Sequence, residues 1–186
     1  MNWRLPVAID EIAVIVDETG IPEAIRLPHA GEAFRIDDGD PNNSFTELLD
    51  DNISLFIEAL AGLVKIAPRA LWSSAGDYFE KMLSVLEKAP DINTTNLEAG
   101  RQLLASEFLG DGRRNPLFEP VRYVPVINDE GRSELQRLRR VCCVRYMLPT
   151  LGYCEDCPHM HERRLKIAAR DKARQLAAES ASEAVT

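Results

Sequence analysis

Aromatic residues are scarce in this sequence, at 6% of 186 residues, and there are only four cysteines and three histidines. No run of about 18 apolar residues occurs, so no membrane-spanning helix is expected. The opening Met1-Asn2-Trp3-Arg4-Leu5-Pro6 has no basic start followed by an apolar stretch. A secretory signal is therefore not expected there, and the cytoplasm is the expected compartment. Basic residues are in deficit, 22 Lys and Arg against 30 Asp and Glu, for a net charge of −8. That balance argues against a nucleic-acid binder, which needs a broad basic face.

What remains is an ordinary globular composition, 45% apolar and 28% charged, with room for one domain and a core. The expectation is a single domain over residues 1–158, with a metal-binding segment at 140–158 and a helix-prone tail at 159–186. Charge is unevenly spread. Residues 1–129 carry 11 basic against 22 acidic side chains, whereas residues 130–174 carry 11 against 6. The basic stretch coincides with all four cysteines. It reads either as a docking site for an acidic partner or ligand, or as a solvated helix surface.

Short Ile- and Val-rich pieces at Ile9–Val16, Glu23–Leu27 and Ala33–Ile36, with a turn at Glu18-Thr19-Gly20, predict a small antiparallel sheet. Asp37 to Asn43 reads as a loop. Its acidity suggests calcium, but the spacing fails: the sixth position from Asp38 is Asn43 instead of Gly, and the twelfth is Leu49 instead of Glu. Ser44 and Glu47 fit a capping box, followed by a helical stripe of Phe45, Leu48, Leu49, Ile53, Phe56, Ile57, Leu60, Leu63 and Val64. A second helix after Pro68 carries Leu71, Trp72, Ala75, Tyr78, Phe79, Met82, Leu83 and Leu86, all read as core. Thr95 and Glu98 suggest another capping box, before a helix with Leu97, Leu103, Leu104 and Phe108. Tyr123–Ile127 reads as a strand with a turn after it, Ser133–Arg140 as a short basic helix, and 161–182 as a helix. Strands, then helices, then a cysteine-rich segment place the chain in the α+β class, with a small antiparallel sheet and a helical layer.

Cys142, Cys143, Cys154 and Cys157 lie within 16 residues as C-C-x10-C-x2-C. Four thiolates meet the ligand demand of one structural zinc ion or one [2Fe–2S] cluster. Zinc sites commonly use two C-x2–4-C knuckles. Cys154 and Cys157 supply one, but adjacent Cys142 and Cys143 do not supply the other, because neighbouring side chains diverge. A two-iron centre gives them more latitude, which favours iron–sulfur. A thioredoxin-like dithiol at Cys154 and Cys157 would leave the other two cysteines unexplained. His159 and His161 flank the motif and are expected to face solvent.

The stretch Arg139-Arg140-Val141-Cys142-Cys143-Val144-Arg145-Tyr146 with Cys154-Glu155-Asp156-Cys157-Pro158 resembles the C-terminal motif of the FhuF-like ferric siderophore reductases, with every cysteine spacing kept. Pro68 to Phe79 is similar to a helical segment of that family and of siderophore-synthetase C-terminal domains. The resemblance covers about residues 45 to 158. This chain is shorter than familiar members, and its basic tail after Pro158 is longer. The resemblance implies that the four cysteines bind [2Fe–2S], and that the cluster passes one electron to a ferric hydroxamate siderophore in the cytoplasm. It also implies a partner, an electron-donating reductase or ferredoxin. Two other readings are a zinc-stabilised binding module and a siderophore-synthetase-like domain that binds its ligand without reducing it.

Overall fold

Local sequence chemistry accounts for most of the elements in the computed structural model, which describes residues 2–34, 44–90, 92, 97–127, 130–148 and 150–183. The loop expected at Asp37–Asn43 and the cap expected from Thr95 lie outside these residues. The chain divides into two compact units, Met1–Pro120 and Val121–Thr186.

In the first unit, strands β1 (Asn2–Arg4) and β4 (Glu32–Phe34) pair antiparallel, as do β2 (Ala13–Val16) and β3 (Pro22–Arg26). The β2–β3 hairpin turns on Asp17. Its carboxylate accepts the amides of Thr19 and Ile21 and the Thr19 hydroxyl, while Gly20 takes φ +85. These hydrogen bonds hold the Asp17 carboxyl below the usual carboxylate range. The small antiparallel sheet read from the sequence is thus two separate two-stranded ladders here, with a third in the second unit.

A helical run follows: α1 (Thr46–Leu48), a π-helical stretch Leu49–Ser54, and α2 (Leu55–Leu63). Phe45, Leu49, Ile53 and Ile57 are spaced by four, which on an α-helix drifts about 40° per step. The wider turn absorbs this drift, and Leu49 and Ile57 are both buried. The expected Ser44–Glu47 capping box does not form. Phe45 caps the helix without a side-chain bond, and the Glu47 carboxylate instead accepts the Val7 amide at 2.8 Å. Together with the bond from Ile9 N to Asp51 O at 2.8 Å, this laces residues 7–9 to the helix.

Helix α3 (Pro68–Glu87) begins with proline at its first position, where no amide partner is needed. Trp72, Ala75, Phe79 and Leu83 pack on the core of Leu49, Leu103, Leu104 and Leu117, as expected. Tyr78, Met82 and Leu86 do not, and Tyr78 is 66% exposed. The buried positions along α3 are Ala70, Ser73, Gly76 and Asp77, a face of small and polar residues. Close approach explains it: a Cβ on Gly76 would lie 2.8 Å from the Pro120 side chain. Helix α4 (Glu98–Ala105) supplies Leu103 and Leu104, and Asn115 locks the following loop. Its amide donates to the carbonyls of Leu103 and Ser106, and its oxygen accepts the Leu117 amide.

The second unit pairs β5 (Val121–Ile127) with β6 (Ser133–Arg139) in register from Val121 opposite Arg139 to Ile127 opposite Ser133. The helix expected at Ser133–Arg140 is therefore a strand. Pairing with β5 across the turn outweighs the weak helical preference of a charged segment. Helix α5 (Pro158–Glu183) completes the unit. Among the described residues, no helix is long and apolar enough to cross a membrane.

Candidate metal centre

Strand β6 delivers the chain to Cys142 and Cys143, and it also holds the second cysteine pair in place. The Arg139 amide donates to the Asp156 carbonyl at 3.0 Å, and the Arg137 guanidinium meets the Asp156 carboxylate at 2.6 Å. Asp156 sits between Cys154 and Cys157, so these two bonds dock the C-x-x-C turn on the strand. The turn closes on itself through Cys157 N to Cys154 O at 3.2 Å, and α5 starts with His161 N on Cys157 O.

Cys142 and Cys143 lie beyond the end of β6, outside regular structure. The next residue, Val144, adopts φ 53 and ψ 11, the left-handed region that β-branched residues rarely enter. In that conformation its amide donates to Cys142 Sγ at 3.4 Å. The adjacent cysteines find different neighbours: Cys143 Sγ lies 3.7 Å from Cys154 Sγ, and Cys142 lies near enough to Cys157 for the two thiols to interact electrostatically. The structure thus brings together all four cysteines singled out in the sequence, as free thiols. Cys157 is 1% exposed and the other three are half-buried. Among the described residues, no three His, Cys, Asp or Glu side chains converge on a single ion-sized position, and the sulfur–sulfur contact is that of Cys143 with Cys154.

Burial pushes the Cys154 thiol up to about 12, and neighbouring Cys143 and Cys157 push the same way, while the charge of Arg139 pulls against them. Cys142 is likewise raised, first by burial, with the Val144 amide opposing. Four crowded thiols in a partly dry setting must shed protons to bind metal, so a metal would draw them into the thiolate form. The donor set fits a four-thiolate centre.

The histidines are not part of this contact set. Exposed His159 meets the Tyr146 ring edge-on at 6.0 Å, and Tyr146 stacks on Tyr153 at 5.0 Å. His161 is half-buried, with Nδ1 at 3.3 Å from Gln136 Oε1, so it is not simply solvent-facing. Sequence reasoning missed Arg137 and Asp156 as the fastening of the knuckle. A period-two reading of residues 133–139 would have placed Arg137 and Arg139 on one side of a strand.

Residues 2–132 match the family described as ferric iron reductase FhuF-like transporter. A ferric siderophore reductase of Escherichia coli (strain K12) is 27% identical over 118 residues, 63% of this chain and 41% of that protein. The chain therefore matches less than half the length of that relative. The family match ends before Cys142, so it is independent of the cysteine motif. With more than half of its length matched, the chain belongs to the FhuF-like ferric iron reductase family.

Proposed function

We propose that this chain is an iron–sulfur ferric siderophore reductase, which takes one electron from a protein donor and delivers it to Fe(III) held by a hydroxamate-type siderophore. The observation that carries the reading is the grouping of four free thiols within electrostatic reach of one another in a chain whose family membership rests on other residues. Residues 140–158 form the cluster-holding segment, with Cys142, Cys143, Cys154 and Cys157 as ligands. When bound, a [2Fe–2S] cluster supplies a one-electron store. A two-iron centre takes two thiolates at each iron, and the Cys143–Cys154 contact at 3.7 Å suits one such pair.

The protein's own groups have definable tasks. Buried Cys157 and the docked Asp156 turn keep water from one side of the centre. The Arg139 charge offsets part of the thiolate charge, and the Val144 amide donates to Cys142; both ease reduction, whereas the four thiolates oppose it. The substrate asks little proton chemistry of the protein. Hard oxygen donors favour Fe(III) over Fe(II), so one added electron weakens the complex and lets iron leave. The electron must arrive at low potential, since about 59 mV is a factor of ten for a one-electron step. A reducing compartment such as the cytoplasm would keep the thiols free for metal.

The test begins with anaerobic purification and analysis of iron, sulfide and zinc. Two irons and two sulfides per chain are expected, with a brown visible spectrum; stoichiometric zinc in a colourless protein would overturn the reading. Reduced protein is then mixed with a ferric trihydroxamate and an Fe(II) chelator. Reoxidation should accompany iron capture, at a rate that saturates with siderophore. A rate that rises linearly without limit would show that no siderophore site exists.

A further inference from the structure

Large apolar side chains face water beside the thiols. Between the two cysteine pairs, Tyr146, Met147, Leu148, Leu151 and Tyr153 are all exposed, Met147 by 69% and Leu148 by 54%. They form one patch: the tyrosines stack on each other, and the Leu151 amide donates to the Leu148 carbonyl at 3.1 Å. The patch does not stop at the loop. Tyr146 meets His159 in the first turn of α5. Positions four, seven and eleven residues after His159 share its helix face, and they are Arg163, Lys166 and Arg170, all exposed. Glu162 lies at the edge of this stripe, leaving it clearly positive.

Apolar surface of this extent, continued by one sign of charge, marks an interaction site. A helix face is convex, whereas small ligands are held in clefts. From His159 to Arg170 the stripe runs about 16 Å, a protein-sized footprint. We propose that this loop and the His159–Arg170 face of α5 together form the docking surface for an acidic one-electron donor protein. The inference rests on the reductase reading, and it names the surface and chemistry of the donor. Charge complementarity selects the partner: an acidic protein is attracted along the basic stripe, while the apolar patch sets it down beside the centre that must accept the electron. One electron leaves the reduced donor and enters the four-thiol centre. No proton need move and no ligand need be exchanged. Small, partly apolar and charge-guided contact is what a transient redox encounter requires.

The probe is a plant-type [2Fe–2S] ferredoxin with an acidic surface, used with the cluster-loaded full chain. Calorimetric titration should give a Kd that rises with salt. Leu148→Glu should weaken binding at least about tenfold. The double variant Arg163→Glu with Lys166→Glu should weaken it by about as much and flatten the salt dependence. This second variant alters only exposed helix positions, so it guards against misfolding of the first. Electron transfer from reduced ferredoxin should slow in parallel, while reduction by dithionite and the visible spectrum stay unchanged. If dithionite reduces every form normally and neither variant alters ferredoxin affinity, the docking surface is overturned and the reductase reading stands. A protein that holds no reducible cluster overturns the reading itself. Sedimentation that shows the patch occupied by a second copy of the chain, or binding to anionic vesicles without binding to ferredoxin, would also overturn the docking proposal.

Discussion

The two units are stabilised by different means. In Met1–Pro120 the buried set is mainly aliphatic: Leu49, Ile57, Leu97, Leu103, Leu104 and Leu117, with aromatic support from an edge-on contact between Phe45 and Phe79 at 5.5 Å. In Val121–Thr186 the buried residues, among those described, are Leu138, Arg139, Cys157 and Pro158. The first unit can stand on apolar burial. The second has too little of it, and small units in that position generally depend on a metal or other cross-link. The family match covers the first unit and only the start of the second, whereas the four cysteines all lie in the second.

That contrast can be broken at its strongest point. Cys157→Ser should reduce retained iron at least about tenfold, because on the proposed reading it removes a buried ligand. Hydrogen exchange should then accelerate through β6 and the start of α5, while α3 and α4 keep their protection. Equal loosening of both units would refute the contrast. Leu103→Ala tests the other side: it should cost about 2–5 kcal/mol in denaturant unfolding of the first unit, as a cavity in a closed core does, and leave the visible spectrum unaltered. Asn115→Ala should cost about 1–3 kcal/mol there, since it strands the buried Leu117 amide and takes a donor from the Leu103 and Ser106 carbonyls. The smallest effect has the opposite sign. Val144→Gly should stabilise the second unit by roughly 1 kcal/mol, because glycine enters the left-handed region without the penalty that valine carries. A destabilised glycine variant would mean that the valine side chain matters more than its backbone.

The sequence was most legible where one requirement acted alone. Cys142, Cys143, Cys154 and Cys157 could be grouped because thiolate chemistry demands neighbours, and helices α3 and α4 could be seen in their apolar spacing. It was least legible where a partner decided the outcome. Glu47 matched a capping pattern but is engaged by Val7, forty residues away in sequence. Residues 133–139 have a composition open to helix or strand, and β5 across the turn decides for strand. The strand at Tyr123–Ile127 was read correctly, and with the turn expected after it the sequence already called for a hairpin partner. On α3 an apolar stripe suggested one buried face, whereas close packing at Gly76 buried a second one made of small and polar side chains, which hydropathy does not reveal.

The π-helical stretch at Leu49–Ser54 constrains how this chain can change in length. It accommodates a surplus residue that a regular α-helix would have to carry as a rotation of about 100° between its two ends. Deleting one residue from the stretch would let the helix close into regular α turns, with Phe45 still in phase with Ile57 and still against Phe79. A further inserted residue would have no second wide turn to absorb it and would rotate Phe45 by about 100° away from that contact. Change of length here is therefore open in one direction only, and an insertion in this stretch should be compensated by a deletion within the same turn.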